Sequence, residues 1–284
     1  MSGFAAEWLA LREPYDARAR NPVVGDAAMG TVIDLDPITI VDLACGTGAT
    51  LRALSPHLPG RQTWRLVDND LSLLARAADS VRPERVQITA LPIDLAHDVE
   101  AALDGAVDLV TTTALLDLVS EPWLDRLVIE TAARRLPLYA ALTYDGRIAL
   151  EPAVPGDAAI IAAVNAHQRG DKGFGPALGP TAAAVAAARF TAVGYAVTRE
   201  TADWVIGPRD RDIQNELLTG WAGAAREHGT PPFNEAIAWL TRRRGLVAAG
   251  RSSIRVGHVD FFASPIAKRR ADRSQSNKTS PPSW

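Results

Sequence analysis

The chain has 284 residues, 47% hydrophobic and 22% charged, with a formal net charge of −3. That balance is ordinary for a soluble globular enzyme with a sizeable core. A single cysteine, Cys45, excludes disulfide scaffolds, multi-cysteine zinc sites and cysteine-held iron–sulfur clusters.

Residues 3–20 read as an amphipathic helix with Phe4, Trp8 and Leu11 on one side. Its early acids, Glu7, Glu13 and Asp16, do not suit a secretory signal, so a cytoplasmic protein is expected. No apolar run reaches the ~18 residues of a membrane span. From residue 39, short β-rich runs alternate with helical segments, which signals a parallel α/β sheet. Strands are expected at 39–43, 62–67, 85–89, 107–111 and 136–143, and helices at 51–58, 71–80 and 120–135. Ser120 and Pro122 suit the start of the last helix. Beyond it, 157–168, 181–192, 212–227 and 234–249 read as helices. Residues 195–206 read as one or two strands, and 252–262 as a half-exposed closing strand. Lys268, Arg269, Arg270, Arg273 and Lys278 stand against Asp272 in a polar segment at 265–284, read as a disordered basic tail. The remaining body is therefore acidic, which disfavours broad contact with nucleic-acid phosphates.

The most informative stretch is Asp42-Leu43-Ala44-Cys45-Gly46-Thr47-Gly48, where a strand ends and a helix begins. Gly46 and Gly48 allow a sharp turn and close approach of a ligand to the backbone. A dinucleotide fingerprint fails, because Leu51 stands where its third glycine belongs. Asp42 instead suits a ligand bearing an ammonium and a sulfonium.

The stretch resembles the first motif of the class I S-adenosylmethionine (SAM) methyltransferases, acid-x-Gly-x-Gly-x-Gly, with Ala44 in place of the first glycine. The resemblance covers roughly residues 38–143, and more loosely continues to 263. It implies a Rossmann-like three-layer α/β sandwich. The sheet would be mostly parallel and seven-stranded, with an antiparallel closing strand and helical lid insertions. It implies SAM as cofactor and S-adenosylhomocysteine as product. Asp42, Ala44, Cys45, Gly46, Thr47 and Gly48 would hold the cofactor from the turn. Asp68, at the end of the second strand, would accept from both ribose hydroxyls. Asn69 follows it, and Leu71 would lie against the adenine. Asp94 and Leu95 follow the third strand, where the family often accepts from the adenine amino group. Thr112, after the fourth strand, would line the transfer site. Asp70 is the expected cap of the helix at 71–80, and Cys45 is a small packed residue.

Methyl transfer needs alignment of an acceptor and, for some acceptors, removal of a proton. Tyr144, His167 and Asp117 are the catalytic candidates. Arg12, Tyr15, Asp145 and Lys172 are the substrate-binding candidates, with Lys172 contacting an anionic substrate. His167 also suits a helix C-terminus through the dipole. No metal is expected, since Gly146 stands where catechol-type relatives add an asparagine. Nucleic-acid methylation is disfavoured. Cys45 lies in the SAM turn, and Thr111-Thr112-Thr113-Ala114 stands where base-amine methylases carry an Asn/Asp-Pro-Pro-aromatic motif.

The expected function is transfer of a methyl group to oxygen or nitrogen of a small soluble metabolite, by a monomer or homodimer. Two other readings remain open: a protein- or RNA-directed methyltransferase docking through the basic tail, and a SAM-binding module without transfer. The expected organisation is a helical lid segment at 1–37 and a SAM domain at 38–264. That domain would carry helical insertions at 147–193 and 209–250, followed by the tail.

Overall fold

The structure is a computed structural model describing residues 5–79 and 83–266. Phe4, Ser80 and the basic residues 268–278 singled out above lie outside the described residues. Two helices come first, α1 (Ala6–Ala19) and α2 (Pro22–Gly30). α2 has a clear local cause that the sequence reading passed over. Asn21 accepts from the Val23 N–H at 3.0 Å, and Pro22 occupies the first helical position.

The alternating part follows as β1 (Ile38–Leu43), α3 (Ala49–Leu54), β2 (Gln62–Asp68), α4 (Leu71–Ala78) and β3 (Val86–Pro92). It continues through α5 (Val99–Ala102), β4 (Leu109–Thr113), α6 (Glu121–Arg134) and β5 (Leu138–Glu151). α3 is shorter than expected and gives way to a 3-10 turn at Ser55–His57 around Pro56. The rest is α7 (Asp157–His167), α8 (Ala182–Ala192), β6 (Tyr195–Thr201), β7 (Trp204–Ile206), α9 (Arg211–His228), α10 (Phe233–Ala248) and β8 (Ser253–Pro265).

The strands form one open sheet in the order β3-β2-β1-β4-β5-β8-β6, and short β7 adds an eighth strand against β8. The first five run parallel, while β8 is antiparallel to β5, β6 and β7. Parallel strands covered on both faces read as continuous apolar runs. β1 obeys this: Ile38, Ile40, Val41 and Leu43 are all buried. One apolar cluster forms on each face of the sheet, for example around Val41 and Phe261 and around Ile40 and Trp64. A third cluster lies beyond the sheet edge, where α7, α9 and α10 pack around Trp204, Trp221 and Trp239.

β5 was expected to end near Thr143 but runs eight residues further. It does so by pairing with the first half of β8 through two register shifts, one between Ala140 and Thr143 and one between Tyr144 and Ile148. Leu142 sits at φ 55° in the first shift, and its N–H donates to Asp260 Oδ1 at 2.8 Å. The same carboxylate accepts from the Asn21 N–H and the Tyr139 hydroxyl. This ribbon carries the sheet into the helical cap. Strand order reverses between β1 and β4, which opens a crevice at their carboxyl ends.

Candidate active site

The crevice holds a cleft of about 1010 Å³. Its floor is the turn after β1. Ala44 and Gly46 lie at φ 52° and Gly48 at φ 83°, all in the left-handed region. The turn is held by Cys45 N–H donating to Val67 O and Gly48 N–H donating to Cys45 O. A Cβ on Gly46 would approach Leu9 Cδ1 of α1 to 3.2 Å, so backbone and roof nearly touch there.

Beside the turn stands Asp68. Its Oδ2 accepts from Gly46 N–H at 2.9 Å and its Oδ1 from Asp70 N–H at 3.0 Å. Each oxygen retains a lone pair. Asp70 caps α4, accepting from the Ser72 hydroxyl and from the N–H groups of Leu73 and Ser72, and these bonds hold its carboxyl below the usual range. Asn69 and Leu71 line the same wall, and Leu71 is 67% exposed despite its size. The wall continues with Ile93, Asp94, Leu95 and His97. Asp94 accepts from Ala96 N–H and meets His97 Nδ1, each at 3.0 Å. Leu95 O is fixed by the Trp123 indole N–H.

α1 forms the roof. Arg12 pairs with Asp16 through two contacts, at 2.9 and 3.2 Å, and lies 5.0 Å above the Trp204 ring. The Trp204 indole N–H donates to the same carboxylate at 3.0 Å. Glu13 reaches across to Arg52 in α3, whose guanidinium also donates to Thr47 O. The far side is made by Thr113, Leu118 and the loop carrying Asp171, Lys172 and Phe174.

The structure thus gathers Ala44, Cys45, Gly46, Thr47, Asp68, Asn69, Leu71, Asp94, Leu95, Arg12 and Lys172 around one cleft. Other residues expected at the site lie elsewhere. Asp42 and Gly48 support the turn from behind. Asp42 is fully buried, accepts from the Thr111 hydroxyl, and is pushed up to about 7 by burial. Burial likewise raises the Cys45 thiol, as befits a packed residue. Thr112 turns away and donates to Leu43 O, while its neighbour Thr113 faces the cleft and meets Thr50 and Arg20. Strand alternation explains the exchange: Thr111 and Thr113 share a face, and Thr111 already bonds Asp42.

On the acceptor side, Tyr144 is buried and donates its hydroxyl to Asn165. Its N–H donates to Asp117, whose carboxyl burial pushes up to about 6. Asp145 pairs with Arg147. Tyr15 donates to Asp210 outside the cleft. His167 closes α7 as expected, but sits between Glu227 and Lys172. The sequence reading missed Leu9, Asp16, Thr113 and Phe174. Asp16 was accessible as the i+4 partner of Arg12; Phe174 had no local signal.

Residues 40–136 match a family model described as a methyltransferase domain. With that match and this sheet order, the fold is settled. Over residues 40–136, about a third of the chain, the protein is similar to methyltransferase domains. Among solved structures, a cyclopropane-fatty-acyl-phospholipid synthase-like protein from Lactobacillus casei is similar at 13% identity and TM-score 0.50, over 88% of this chain and 98% of that one. The cyclopropane synthase MmaA2 from Mycobacterium tuberculosis is similar at 13% identity and TM-score 0.46, over 85% and 83%. The plantazolicin methyltransferase BpumL, solved in complex with S-adenosylhomocysteine, is similar at 11% identity and TM-score 0.44, over 90% and 85%. No curated protein matches the sequence.

The cleft of the methyltransferase domain fits the family's cofactor. A nucleoside needs acceptors for vicinal hydroxyls, and Asp68 keeps two free lone pairs beside the turn. A sulfonium and an ammonium favour an acid-rich lining, and Asp16, Asp68, Asp70 and Asp94 supply one. None of the helices among the described residues is long and apolar enough to cross a membrane.

Proposed function

We propose that this protein transfers a methyl group from SAM to an oxygen or nitrogen of a small acceptor. One observation carries the reading. Asp68, pinned by two backbone N–H groups, stands beside a left-handed glycine turn in a cleft of about 1010 Å³. That volume lies at the upper end for small-molecule sites, with room for a second ligand beside the cofactor.

When bound, SAM supplies an electrophilic methyl on sulfur; the acceptor lone pair forms the new bond as the sulfur–carbon bond breaks. The chain's part is placement. Asp68 holds the ribose hydroxyls. Leu71 and Leu95 would flank the adenine, and Asp94 would accept from its amino group. The backbone of residues 44–48 carries the amino-acid end, with Asn69 beside it and Asp42 beneath. Thr113, Leu118 and the α1 roof exclude water. Arg12 and Lys172 face the acceptor space. Tyr144, Asp117, Asp145 and Tyr15 shape its surroundings through their partners instead of touching the acceptor. Residues 5–37, the described part of the N-terminal segment 1–37, act as a lid on the domain at 38–264, and the cap helices complete the acceptor side. The acidic body and the size of the cleft favour a small molecule over nucleic acid, in a cytoplasmic monomer or homodimer.

Isothermal titration with S-adenosylhomocysteine tests the reading. Asp68→Ala removes two charge-assisted hydrogen bonds and should weaken binding by about a hundredfold. Equal binding by both proteins, or none by the wild type, would sink it. A methylated product found by mass spectrometry after incubation of SAM with a cell extract would establish transfer rather than binding alone.

A further inference from the structure

The loop between α7 and α8 puts one cation into the cleft in an unusual setting. Lys172 Nζ lies 3.2 Å from His167 Nδ1, and His167 Nε2 lies 2.9 Å from Glu227 Oε2. These residues come from the loop, the last position of α7 and the last turn of α9. An ammonium has three donors and no acceptor. His167 Nδ1 must therefore accept, which places the imidazole proton on Nε2, where it donates to Glu227. The three side chains form a directed chain ending at the cleft.

Around Lys172, the other charges are already committed. Asp171 Oδ1 accepts from the N–H groups of Gly173 and Gly175. Asp16 is taken by Arg12 and the Trp204 indole. Lys172 has no carboxylate within ion-pair distance among the described residues; Glu227, beyond the imidazole, is the acid whose field reaches it. Partial burial lowers its proton affinity, as expected for a cation short of a counter-charge. Next to it the cleft is apolar, with Leu118 and Phe174. The acids Asp68 and Asp94 line the same cleft, and α1 brings Arg12 to it. Arg12 is already neutralised by Asp16, so among the described residues Lys172 is the cation left to meet an anion in the cleft, and titration of Lys172→Met separates the acceptor's anion from the cofactor carboxylate.

We propose that the methyl acceptor carries a carboxylate or phosphate on an apolar body, and that Lys172 grips this anion. His167 and Glu227 are positioning residues that aim the ammonium. The inference rests on the methyltransferase reading of the cleft and adds the charge of the acceptor.

The test uses the full chain saturated with S-adenosylhomocysteine and two probes of one shape, benzoate and benzamide, followed by isothermal titration. The wild type should prefer benzoate by about tenfold, and Lys172→Met should lose that preference while binding S-adenosylhomocysteine as the wild type does. Lys172→Arg, which keeps the charge, should retain part of it. Glu227→Ala should reduce it several-fold and Glu227→Gln, which still accepts from Nε2, should restore it. ¹⁵N spectra should show His167 as the Nε2–H form in the wild type and an altered mixture in Glu227→Ala. No benzoate preference in the wild type, or an undiminished one in Lys172→Met, overturns the proposal. Weaker S-adenosylhomocysteine binding by Lys172→Met also overturns it, by assigning the lysine to the cofactor carboxylate. Failure of the wild type to bind S-adenosylhomocysteine overturns the cofactor reading, and this proposal with it.

Discussion

Asp117 is a buried carboxyl whose only donors among the described residues are its own backbone N–H and the Tyr144 N–H, the latter at 3.4 Å. Burial penalises its charged form, which is why it titrates near 6 instead of 3.8. A raised native value means that the fold prefers the protonated acid. The resulting stability is full below about 3.8 and is lost as pH rises through about 6. Asp117→Asn keeps the acceptor oxygen and removes the titration. Relative to wild type, it should gain up to about 3 kcal/mol between roughly pH 4 and pH 8 in urea unfolding. A constant difference across that range would refute the assignment. Asp42 sits in the same regime behind the glycine turn, eased by the Thr111 hydroxyl. Both carboxyls still carry charge at neutral pH, in full or in part, so the burial penalty is borne behind the site, while Asp68 and Asp94 stand on the cleft wall.

At the level of elements, α1 is tied to the cofactor turn at two places. Leu9 lies over Gly46, and Glu13 pairs with Arg52 in the last turn of α3. The ion pair is about one-third exposed, so its contribution to global stability is about 0–1 kcal/mol after screening. Its effect should show in ligand release instead. Glu13→Gln should speed dissociation of S-adenosylhomocysteine several-fold in stopped-flow displacement, with thermal unfolding almost unchanged; equal dissociation rates would remove the latch. Elements also explain what could be read from the residue string. The glycine turn was legible from its own residues, and Asp68, Leu71 and Asp94 through the family resemblance, because each lies close to a parallel strand's end and is placed by local chain geometry. Tyr144 and Asp145 were not. β5 was expected to stop at Thr143 and expose them to the crevice, but the bulge at Leu142, held by Asp260 from a strand more than a hundred residues away, carries them into the ribbon. His167 was placed correctly at the end of α7, yet its role depends on Glu227 of α9, and no local pattern connects the two.

Across the whole molecule, β8 is the common partner of β5, β6 and β7. Phe261 sits on it, fully buried against Phe190 at 5.6 Å in the cluster under α6 and α8. Phe261→Ala should cost about 3–5 kcal/mol in denaturant unfolding, as for other large-to-small core changes. A loss below about 1 kcal/mol would show that this cluster does not hold the closing strands. The fold class was accessible from the βα alternation, since each right-handed crossover stays local. The third cluster was not, because Trp204, Trp221 and Trp239 meet only through long-range packing.

The β5–β8 ribbon has a mechanical consequence. The same two strands run from the central sheet through two register shifts into the helical cap, so the cap is joined to the sheet by paired strands instead of a linker. Domain closure by a hinge between sheet and cap is therefore closed to this architecture. The element that could widen the cleft is instead the N-terminal helix, which meets the cofactor turn through the side chains of Leu9 and Glu13.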